Sequence, residues 1–162
     1  MSMIIDGTNG LTFNNATTQA SAGSVLQVVN ATTSTSVSTT TNSYIDTTLT
    51  ATITPKFTTS KILVLVNQNG VTKNGAAGAD VGLRLLRNST TIQQLSLYGL
   101  YDGTTGAIYG ATFSTSYLDS PATTSATTYK TQFQASENTG IVSVQVSAGN
   151  STSTITLMEI AA

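Results

Sequence analysis

The chain has 162 residues, 39% hydrophobic and only 8% charged, with a formal net charge of −1. That length encloses one real core and makes a second independent domain improbable. Six Lys and Arg leave no basic stripe for nucleic acid or an anionic membrane. The absence of Cys removes disulfides and thiolate chemistry, and the absence of His removes the serine–histidine triad and most zinc sites.

The chain opens with MSMIIDGTNGLTF. It lacks the cationic start and long apolar run of a signal peptide, and no window of the chain approaches a transmembrane helix in length. Ile4 and Ile5, then Leu11 and Phe13, flank the turn-forming DGTNG, which predicts a short hairpin with two apolar ends. An isolated hairpin is marginal in water, so those four side chains need another surface to bury them. The following NNATTQASAG is small, polar and aperiodic, and reads as a linker. Residues 1–23 are therefore read as an anchoring arm and linker, and residues 24–162 as a head.

From residue 24 onward the dominant period is two. Strands are predicted over 24–31, 48–54, 61–68, 80–88, 91–99, 107–118, 127–135, 141–148 and 153–160, separated by turn residues such as Thr-Pro, Asn-Gly and Asp-Gly. No helix is predicted. Threonine, abundant throughout, favours strands with one wet face. So many short strands imply an all-β fold, a two-sheet sandwich or jelly roll. KILVLVNQ, residues 61–68, is apolar on both faces and predicts a central strand buried on both sides. NGAAGAD, residues 74–80, lacks the Lys-Ser/Thr of a phosphate loop and reads as a loop tip.

Arg84 and Arg87 place a third of the positive charge on one strand. They are either solvated or candidates for ion pairing across an interface. In AIYGATFSTSYL, residues 107–118, Tyr109, Phe113 and Tyr117 share one face opposite a face of small residues. That aromatic face either fills the core or packs across a subunit interface, where tyrosine is favoured. Seven acids are scattered along the chain. Asp102 and Asp119 could only with difficulty form the carboxyl pair of a glycosidase, and turn capping is the more ordinary role of such residues. The Asn-X-Ser/Thr sequences at Asn15, Asn30, Asn88 and Asn150 follow from abundant Asn and Thr. No catalytic, cofactor-binding or metal-ligating set emerges.

Several stretches together resemble a family of small structural modules of tailed bacteriophages, cyanophages included. They are VLQVV at 25–29, Ile53-Thr54-Pro55 ahead of KILV at 61–64, RLLR at 84–87, LDSPATTSATTYK at 118–130, and the closing ITLMEI at 155–160. The resemblance covers about residues 24–162; Leu157 departs from the small residue that relatives often carry there. The N-terminal GTNGLTF is similar to segments of phage fibre and appendage proteins. The resemblance implies a non-enzymatic virion structural protein, made in the host cytoplasm and carried on the particle exterior. Its head would be a jelly roll like that of the tumour-necrosis-factor family, assembled as a homotrimer. The expected role is capsid decoration, cement or a short head fibre, with the arm (Ile4, Ile5, Leu11, Phe13) docked to a major capsid protein or to a tail or fibre protein. Arg84, Arg87, Tyr109, Phe113 and Tyr117 are the candidate trimer contacts. The alternative is the receptor-binding tip of a tail appendage, with Tyr98, Tyr101 and Asp102 of LYGLYDGTT as glycan contacts.

Overall fold

A computed structural model describes residues 4–6, 10–12, 18–19, 24–74, 79–101, 103, 109–136, 140–146 and 151–161. The arm contributes β1 (Ile4–Asp6), β2 (Gly10–Thr12) and β3 (Thr18–Gln19). They form an antiparallel meander with Ile5 opposite Leu11 and Leu11 opposite Gln19. The predicted hairpin is thus β1–β2, and part of the stretch read as linker adds a third strand. Phe13 lies outside the described residues.

The head follows with β4 (Val25–Thr33), β5 (Val37–Thr39), β6 (Ile45–Ile53), β7 (Lys61–Asn74), β8 (Val81–Arg87), β9 (Thr90–Gly99), β10 (Tyr109–Asp119), β11 (Thr127–Ala135), β12 (Ile141–Val144) and β13 (Ser153–Ile160). The described residues contain no helix. One sheet runs β4-β13-β7-β10, and where β7 passes beyond β13 it pairs instead with β12, which carries β5; the other sheet runs β6-β11-β8-β9. Counting only the eight long strands in chain order, the sheets read 1-8-3-6 and 2-7-4-5, the connectivity of a jelly roll.

The period-two pattern explains the packing. β6 and β11 turn alternate residues inward, Leu49, Ala51 and Ile53 on one and Tyr129 and Phe133 on the other. One core cluster joins Ile53, Ile62, Val64, Leu85, Tyr129 and Leu157; a second joins Val71, Val81, Leu83, Phe133, Val142 and Val144. A buried polar seam also crosses the interior. Thr131 Oγ1 bonds both Thr47 Oγ1 and Gln68 Oε1, Gln68 Nε2 donates to Ser153 Oγ at 3.0 Å, and Ser153 Oγ reaches the Gln145 side-chain oxygen at 3.0 Å. Satisfying every member of such a seam fixes the relative register of the strands that carry it.

The registers also define two ends. Val25, Ile160, Lys61 and Asp119 lie at the end where the arm joins the head; Asn74, Tyr109, Gly99 and Ile141 lie at the other.

Candidate functional site

On its outer face, the first sheet aligns four apolar side chains in one row, one from each strand. Val28 stands opposite Met158, Met158 opposite Leu63, and Leu63 opposite Leu118. Val28 and Leu118 are each 55% exposed, and Leu65, one row along, is 38% exposed. The rest of that next row is Asn30, Thr156 and Ser116, and beyond it Ser114 donates to Asn67 and Thr112 to Asn69. The centre of the face carries no charge. Lys61 lies at its end, donating to Ser120 Oγ at 2.7 Å. The expectation that KILVLVNQ is buried on both sides is corrected here. Ile62, Val64 and Val66 are buried, but Leu63 is only half-buried and Leu65 is exposed, because no layer among the described residues covers the outer face of β7.

The outer face of the second sheet is polar and wired. Arg84 donates to Gln132 Oε1 from Nε at 3.1 Å and from Nη2 at 2.6 Å, with its guanidinium 3.8 Å above the Tyr44 ring. Gln132 Nε2 in turn donates to Asp46 Oδ1 at 2.8 Å, and Lys130 Nζ donates to Asp46 Oδ2 at 2.9 Å. Burial alone would raise the Asp46 carboxyl pKa, but the bonds from Lys130 and Gln132 outweigh it and hold it below its ordinary value.

All five residues expected at a trimer contact make interactions within their own chain. Arg84 belongs to the network just described, and Arg87 Nη1 pairs with Asp119 at 2.9 Å. Phe113 and Tyr117 turn inward, each packed against one of the two core clusters, so at these two positions the aromatic face of β10 fills the interior. Tyr109 is exposed at the far end. Asp119 is tied to Arg87 and Tyr129 rather than free for acid–base work.

At that far end Leu100, Tyr101, Tyr109 and Gly110 line a pocket of about 270 Å³. Leu100 holds a left-handed φ of 62°, which aims the chain out of β9 toward Tyr101. Tyr98 and Tyr101 are both 63% exposed, and Tyr101 alone of the two lines the pocket. Asp102 lies outside the described residues. Lys73 Nζ sits 5.4 Å from the Tyr109 ring centroid. Lys73 and Asp80 are both fully buried near this end, and neither charged group has a hydrogen-bond partner among the described residues. No group of three or more acids is gathered among the described residues.

No protein-family model matches the chain. A comparison with curated proteins also gives no match. Among solved structures, similarity is found to the infectious bursal disease virus VP2 subviral particle, with 13% identity and a TM-score of 0.43 over 83% of this chain. The structure of the Gt strain of the same virus is similar at 14% identity and a TM-score of 0.42 over 99% of this chain. The chain spans 38% and 42% of the length of those two proteins. The jelly-roll assignment rests on the strand order, independently of these weak similarities.

Proposed function

We propose that the protein is a virion structural component whose head assembles as a homotrimer, serving as a capsid decoration or cement protein or a short head fibre on a phage exterior. The observation that carries this reading is the uncharged apolar row Val28, Met158, Leu63 and Leu118 on the outer face of a sheet whose inner face is already packed. A second copy of the chain is the occupant that fits. The centre of the face holds no charge, so rotating copies about a common axis brings no like charges together. Each aliphatic side chain fully removed from water contributes about 1.5 to 3 kcal/mol before ordering costs. The low charge of the chain and its resemblance to phage modules support the same reading. In this reading the arm, residues 1–23, attaches the trimer to a major capsid protein or to a fibre.

Light scattering on the purified chain tests the assembly. The expected mass is three times that of the monomer, and Leu118→Lys combined with Val28→Lys is expected to give a folded monomer. A wild-type monomer at micromolar concentration overturns the proposal.

The receptor-binding reading keeps one observation in its favour, the tyrosine-lined pocket at the end opposite the arm. Locating the protein in a reconstruction of the particle distinguishes a capsid surface from a tail tip.

A further inference from the structure

β6 borders the second sheet and, among the described residues, pairs only with β11. Lys130 stands opposite Thr50 and Gln132 opposite Asp46, so three residues of β6 face the single residue Thr131. Within that bulge Thr48 holds a φ of 71°. The left-handed region is unfavourable for a β-branched residue and persists only where the surroundings impose it. Here Thr33 Oγ1 meets Thr48 Oγ1 at 2.9 Å, and Thr47 is buried against Thr131. The bent strand opens a notch of about 300 Å³ on the outer face, lined by Asp46, Thr48, Leu49, Thr50, Thr128 and Lys130.

An exposed ion pair contributes little to stability by itself. The pair Asp46–Lys130 is nonetheless held in place from across three strands, since Gln132 fixes the second oxygen of Asp46 and Arg84, stacked on Tyr44, fixes Gln132. Such support leaves one acceptor and one donor side by side at a fixed spacing, the arrangement a binding site needs. The charges cancel, so the notch selects neither an anion nor a cation. Three threonine hydroxyls both donate and accept, and the threonine methyls add a small apolar surface. The volume is at the lower end for small-ligand sites. A neutral, compact molecule with hydroxyls around its rim and C–H groups on its faces matches these features.

We propose that the notch at the β6 bulge binds a neutral saccharide unit, with Asp46 accepting from one sugar hydroxyl and Lys130 donating to its neighbour. This goes beyond the assembly reading and does not depend on it, since the notch lies on the opposite sheet from the apolar row.

The test is an amide-resolved NMR titration of the full chain with the methyl glycosides of glucose, galactose and mannose, and with glucuronate as the charged comparator. At least one neutral glycoside is expected to give saturable shifts centred on Thr48, Thr50 and Thr128. Its dissociation constant is expected to rise about tenfold in Asp46→Ala and in Thr50→Val, and to stay unchanged in Tyr101→Ala. Circular dichroism establishes that each variant is folded, and the two notch variants make independent tests should either fail. The proposal is overturned by the absence of saturable shifts with all three neutral glycosides at tens of millimolar. It is equally overturned by shifts centred on Tyr101 and Tyr109, by unchanged affinity in a folded notch variant, or by tighter binding of glucuronate.

Discussion

Asp119 faces the space between the sheets, where an unpaired carboxylate would be strongly unfavourable. It is tolerated because Arg87 Nη1 donates to both oxygens, at 2.9 and 3.0 Å, and Tyr129 Oη donates to one at 2.7 Å. β10 supplies the acid while β8 and β11 supply the donors, so these three side chains tie one sheet to the other. Asp119→Ala is expected to lower the unfolding free energy by about 3 kcal/mol and Tyr129→Phe by about 1 kcal/mol, measured by urea denaturation. Burial, reinforced by the bond to Asp119, pushes the Tyr129 hydroxyl above its ordinary pKa of 10.0. That contribution is fully present below the ordinary value and is lost as pH rises beyond it, because the unfolded chain ionises first. Glu159 has the opposite sign. Burial would raise its carboxyl, yet Gln27 Nε2 and the Lys56 amide bond both oxygens and contribute to holding it below the ordinary 4.5. Its contribution is present above that value and is lost as pH falls through the folded-state pKa. The wild-type melting temperature is therefore expected to drop once the pH goes below about 4.5, and Glu159→Gln to show a shallower acid limb, read from melts between neutral pH and about pH 3.

β7 shows how one strand can serve two neighbours. It pairs with β13 through Asn67 and with β12 from Thr72, and Gly70 lies between, at a φ of 58°. A Cβ there would fall 2.6 Å from Ser151 Cβ and 2.8 Å from Val146 N, the amide that bonds the Gly70 carbonyl. Gly70→Ala is expected to cost about 3 kcal/mol. Gly110→Ala, whose Cβ would meet Thr72 Cγ2 at 3.5 Å, is expected to change stability by less than about 0.5 kcal/mol in the same thermal melts. The strands were legible in the sequence because each carries enough period-two pattern to declare a buried face; all nine predicted head segments correspond to strands. Val37–Thr39 was not legible, since VST amid serine and threonine has no apolar alternation and is recruited only by pairing with β12. The same reason hid Thr18–Gln19. The candidate surfaces were legible only in part. Alternating apolar residues on both faces of KILVLVNQ registered a second hydrophobic face, but sequence alone assigned it to this chain's own interior. The bulge of β6 left no trace, because Ile45, Thr47, Leu49, Ala51 and Ile53 keep strict alternation while Thr48 absorbs the change in register through its φ.

At the scale of the whole molecule, the contrast is between two ends and two outer faces: apolar against polar, arm junction against tyrosine pocket. The sheet pairings of β1, β2 and β3 are confined to one another among the described residues. Removing residues 1–23 is therefore expected to leave the melting temperature of the head within about 2 °C while abolishing incorporation into particles that lack the native protein. Retained incorporation, or loss of folding, would reverse the assignment of the arm. The closing strand β13 lies beside the opening strand β4, and the Ala161 amide donates to the Ser24 carbonyl at 3.0 Å. The first and last described residues of the head, Ser24 and Ala161, thus meet at one point, which has a practical side for displaying cargo. Under the attachment proposed above, cargo carried next to Ala161 would sit beside the start of the head and be pressed toward the particle, whereas cargo carried next to Tyr109 would ride at the opposite end, facing the medium.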